Sequence, residues 1–93
     1  MKLDMNKHGN QGCVVLKDDE TEVVLQLVSN GRPFLVDGTV TVCYADGSID
    51  ECDVTDGLIR FDATSESTCQ CKIVSENKTL YTPKFDIKIG ATA

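Results

Sequence analysis

A small antiparallel all-β sandwich of about seven strands is the fold class this 93-residue chain predicts, on three observations. Nearly every segment reads with period two, which sends alternate side chains to a buried and a solvated face. Turn dipeptides separate these segments at intervals of roughly 8–12 residues, the spacing of all-β sandwiches. No window of roughly 11–18 residues carries the apolar stripe of an amphipathic helix.

The elements follow in chain order. Residues 1–12, "MKLDMNKHGNQG", read as a flexible N-terminal arm, because Asp4, Asn6 and Lys7 interrupt any apolar pattern. A first short strand is expected over 13–17, ending at Asp18-Asp19. "TEVVLQLV" then sets Val23, Leu25 and Leu27 against Glu22, Val24, Gln26 and Val28. After Asn30-Gly31, "GRPFLVDG" reads as a corner. Pro33 has no N–H to donate to a ladder, and Phe34 and Val36 can plug the core while the chain crosses between sheets. "TVTVCY" alternates Val40, Val42 and Tyr44 with Thr39, Thr41 and Cys43, and the Asp46-Gly47 turn joins it to a strand over 49–54 as the clearest hairpin.

Asp56-Gly57 leads to a strand over 58–62, and "FDATSEST" can make one helical turn capped by Asp62 or Thr64. A strand over 69–75 and a last one in "KFDIKIG", with Phe85, Ile87 and Ile89 inward, complete residues 13–90. Residues 91–93 read as a loose end. The whole is one domain, since two cores need more chain.

Composition narrows the function. Net charge is −6, and the nine Lys and Arg are scattered singly, so phosphate neutralisation along a nucleic acid has no patch to use. Only five aromatic residues, with no Trp, leave little for base or sugar stacking. The N-terminus lacks the apolar centre of a signal peptide, and no run approaches the ~20 apolar residues of a membrane helix. Five cysteines, an odd number, suit reduced thiols in a cytoplasm better than a disulfide framework.

Chemistry-bearing residues point away from catalysis. Cys69 and Cys71 in "CQC" share a strand face, and Cys43 and Cys52 lie on the two arms of the hairpin. With Cys13 they read as small buried hydrophobes, because one-residue spacing splays thiols by roughly 6–7 Å along a strand, too far for a zinc knuckle. A cross-strand Cys43–Cys52 bond is conceivable only under oxidation. His8, the sole histidine, falls in the arm, far in sequence from any nucleophile. "KDDET" and "DGSIDECDVTDG" are rich in carboxylates but lack the ligand order of a calcium loop. No cofactor, metal or catalytic residue is expected, and an interaction module remains.

Read together, "DDETEVVLQLVSNGRPFLVDGTVTVCYADGS" resembles the N-terminal domain of phage baseplate upper proteins. The match rests on Asp18 or Asp19 before a strand, the turn Asn30, Gly31 and Pro33, the corner Phe34, Val36 and Gly38, and the turn Asp46-Gly47. Later, Gly57, Ile59 and Phe61, then Thr82, Phe85, Ile87 and Ile89, fit the family's closing strands. Leu35 stands where a polar residue is usual, and "STCQCKIV" lacks a "G-x-Y" lead. The resemblance implies an immunoglobulin-like β-sandwich in a virion tail or baseplate, made in the bacterial cytoplasm. It implies docking to other tail or baseplate proteins, within a homotrimer in the full assembly, and neither nucleic acid nor membrane as partner.

The expected contact residues are Arg32, Phe34, Leu35, Val24 and Val28, since apolar side chains pointing outward mark interfaces. Two other classes stay open: a cation- or ligand-binding sandwich using loop carboxylates or thiols, and an acidic intracellular inhibitor or immunity-type partner of a basic target.

Overall fold

The structure, a computed structural model, describes residues 1–90. The described chain is all-β, with ten strands: β1 (Lys2–Asp4), β2 (Asn10–Leu16), β3 (Glu22–Ser29), β4 (Arg32–Pro33), β5 (Gly38–Tyr44), β6 (Ile49–Thr55), β7 (Leu58–Asp62), β8 (Ser67–Ser75), β9 (Lys78–Tyr81) and β10 (Lys84–Ile89). The alternating segments form strands because each puts one side chain in two into a common interior. Val23, Leu25 and Leu27 of β3, Val40, Val42 and Tyr44 of β5, Cys69, Cys71 and Ile73 of β8, and Phe85 and Ile87 of β10 are all buried.

One hydrogen-bonded path runs β1-β3-β7-β6-β5-β8-β10-β2, with β4 added to β3 and β9 to β8. The sheet curls until it is nearly closed, like a barrel, around one core. Its weakest seam is between β6 and β7, which pair only at Val54–Ile59 and Thr55–Leu58. Beyond that hairpin, β6 continues along β5 from Asp53 to Ile49, while β7 continues along β3 as far as Asp62. The two strands thus share only the rungs next to their turn.

Four expectations are corrected. Residues 1–12 are not a loose arm: β1 pairs in parallel with β3, Leu3 is fully buried, and the Met1 ammonium donates to the Val24 carbonyl oxygen at 3.1 Å. The sheet is not wholly antiparallel, because β2 also runs parallel to β10, with a register shift between Lys84 and Asp86. Ten strands replace about seven, the additions being β1, β4 and β9, each four residues or shorter. No helical turn forms in "FDATSEST", whose Thr64 N–H and hydroxyl are held instead by Tyr44 and Asp50. Residues 91–93, expected to be loose, lie outside the described residues.

Candidate interaction surface

The corner between β4 and β5 is built from backbone hydrogen bonds. Asn30, with φ of 51°, and Gly31 turn the chain from β3 into β4. Pro33 sits opposite Val28, and the next residue, Phe34, donates its N–H to the Leu27 carbonyl at 3.0 Å. Leu27 N–H donates to Gly57 at 2.8 Å, and Gly57 N–H donates to Val36 at 3.0 Å. These bonds tie β3, the β6–β7 turn and the corner into one unit. Asp37 adds a carboxylate oxygen that accepts from the Asp56 N–H at 2.7 Å.

Two glycines make this possible. Gly57 has φ of 76°, the left-handed region, and a Cβ there would collide with the Phe34 carbonyl oxygen. Gly38 lies against the backbone of Val74, whose carbonyl oxygen occupies the space a Cβ would need. The corner is therefore pressed onto β8 on one side and onto the β6–β7 turn on the other.

Its side chains divide by this geometry. Phe34 and Val36 are half-buried and pack on the core, as the alternation predicts. Leu35, between them, is 71% exposed, the most exposed large apolar side chain described. Beside it a depression of about 480 Å³ is bounded by Leu80 and by the polar rim of Asp37, Ser75, Glu76 and Lys78. Arg32 is exposed on β4.

The other two expected contact residues fare differently. Val24 is half-buried on β3, opposite Arg60, whose guanidinium makes a 3.7 Å ion pair with Glu22. Both partners of that pair are 60% exposed, so it adds little to stability. Val28 is buried at 9% exposure, which corrects its assignment as a contact residue. Val28 pairs with both Asp4 of β1 and Pro33 of β4, and these short strands were invisible to the periodicity.

The cysteines do not converge on one site. Cys69 and Cys71 share the inner face and are buried, whereas Cys43 and Cys52 are half-buried and Cys13 is exposed, which corrects the expectation that all five are buried. Cys43 pairs with Ile49 and Cys52 with Val40, so the two thiols lie on different rungs and opposite faces of the hairpin. That register rules out the conceived cross-strand bond, and all five cysteines are free. Burial pushes the Cys71 thiol up to about 12, with Cys52 and Cys69 adding to the effect. Burial likewise lifts Cys52 and Cys69 to about 11. Protonated thiols are poor nucleophiles and poor metal ligands.

One polar cluster escaped the sequence reading. The Tyr44 hydroxyl donates to the Asp50 carboxylate at 2.5 Å, Thr64 Oγ1 donates to the same oxygen at 3.2 Å, and Thr64 N–H donates to the phenol at 3.4 Å. Burial, then the bond to Asp50, pushes the phenol up to about 12. Tyr44 was legible only as a core residue, because alternation says nothing of where its hydroxyl ends. Compared with known proteins, the chain matches no family model and no curated sequence.

Proposed function

We propose that this chain is a non-enzymatic structural module of a phage or prophage tail or baseplate, docking a trimeric receptor-binding assembly through protein–protein contacts. The finer fold within this reading is an immunoglobulin-like sandwich. It is supported by strand order: β3-β7 corresponds to the B-E pair of that Greek key and β6-β5-β8-β10 to its C′-C-F-G set, β6 pairing mainly with β5. β2, parallel to β10, takes the place of an extra first strand.

One observation carries the docking role. The corner that bears the resemblance, Asn30 to Gly38, is a braced element that presents Leu35 to solvent. A backbone already braced in the free chain lowers the ordering cost of binding, so burying Leu35 against a partner adds more to affinity than it would from a loose loop.

Mixing the chain with tail and baseplate proteins of the same genome, followed by light scattering, tests the reading. A stable complex that Leu35→Asp disrupts at least tenfold, with an unchanged melting temperature, is the expected result. No complex with any of those proteins, or one indifferent to both Leu35→Asp and Arg32→Glu, would sink it.

A further inference from the structure

In a chain of net charge −6, one depression is lined by cations with no carboxylate among the described residues. It lies where the β1–β2 connection passes the β9–β10 connection and has a volume of about 510 Å³. Its walls include Lys7, His8, Gln70, Tyr81, Pro83 and Lys84. The one ion pair among the described residues joins Arg60 to Glu22, so neither lysine takes part in it.

Its frame is fixed by the backbone. Thr82, the one buried polar residue described, accepts from Cys71 N–H and donates to the Pro83 carbonyl, both at 3.0 Å. Gln70 Nε2 donates to the Thr82 carbonyl at 2.9 Å, and the same nitrogen carries a second N–H. Lys84 opens β10 opposite Asn10, and Lys7 N–H donates to the Asp4 carbonyl at 3.2 Å across the loop. Tyr81, at the end of β9, is 59% exposed.

We propose that this depression binds a phosphate monoester carried on a small aromatic or apolar group. Lysine ammonium groups are point charges, without the planar fork with which arginine grips a carboxylate. Two of them with an imidazole suit a compact dianion, whose several oxygens each take a donor. Tyr81, Met5 and Pro83 supply an apolar wall for the organic part. The volume falls within the roughly 300–1,000 Å³ of small-molecule sites. Ser75, the last residue of β8, borders the Leu35 depression and Gln70, near the middle of that strand, borders this one, so the two depressions are separate.

Phenyl phosphate, inorganic phosphate and benzoate, each titrated against the 15N-labelled chain, provide the test. Phenyl phosphate should move the amides of Lys7, His8, Gly9, Gln70, Thr82 and Lys84, saturating at a concentration at least fivefold below that of either other probe. The double variant Lys7→Gln, Lys84→Gln should raise its half-saturating concentration at least tenfold. Tyr81→Ala should abolish the preference over inorganic phosphate while leaving the melting temperature unchanged. Shifts spread equally over Lys2, Lys17, Lys78 and Lys88, equal response to benzoate, or no loss in the double variant would overturn the proposal.

Discussion

Tyr44 and Asp50, six residues apart on the two arms of the β5–β6 hairpin, are joined by a 2.5 Å hydrogen bond from phenol to carboxylate. Thr64, from the segment between β7 and β8, closes on the same carboxylate oxygen. A hairpin and the crossing after β7 are thus tied at one point. Tyr44→Phe keeps the ring in the core and removes only the hydroxyl, with its bond to Asp50 and the one it accepts from Thr64 N–H. It should lower stability by about 1–2 kcal/mol, read as the midpoint of urea unfolding. An unchanged midpoint would show that the hydroxyl contributes nothing net.

Alkaline pH should weaken the fold through groups whose protonated form burial favours. Cys52, Cys69 and Cys71 have an ordinary value of 9.0 and are raised to about 11, 11 and 12. Tyr44 is raised from 10.0 to about 12. The unfolded chain therefore releases protons, from pH 9 upward, that the folded chain retains. Their contribution is complete below pH 9 and is lost progressively between pH 9 and 12. Urea midpoints measured from pH 7 to 11 should be flat at first and then fall, and the triple Ala variant of these cysteines should fall less steeply.

Gly57 is where the corner meets β3 and the β6–β7 turn. Gly57→Ala forces a side chain into left-handed backbone and against the Phe34 carbonyl. A loss of about 1–3 kcal/mol is expected, with amide exchange accelerated at Leu27 and Phe34. Unaltered exchange at those two amides would contradict the bracing described above.

Leu3 decides whether the N-terminal segment belongs to the core. Fully buried beside β3, it should cost about 2–4 kcal/mol on truncation to Ala. Calorimetry giving the parent melting temperature for Leu3→Ala would restore the loose arm.

Local information in the sequence determined the all-β class, the turns at Asn30-Gly31, Asp46-Gly47 and Asp56-Gly57, and the inward faces of β3, β5 and β10, except that Ile89 at the end of β10, expected inward, is 37% exposed. Alternation and left-handed backbone are properties of neighbours along the chain, so Val23, Val40, Val42 and Phe85 could be assigned to the interior before any contact was known. Which strands lie side by side was decided only in three dimensions. Lys2–Asp4 is too short to show a period, yet pairing with β3 buries Leu3 and helps to cover Val28. Cross-strand register likewise separated Cys43 from Cys52, and the packing of distant segments placed Lys7 and Lys84 on the wall of one depression, because pairing between such segments follows from the shared core and not from either segment alone.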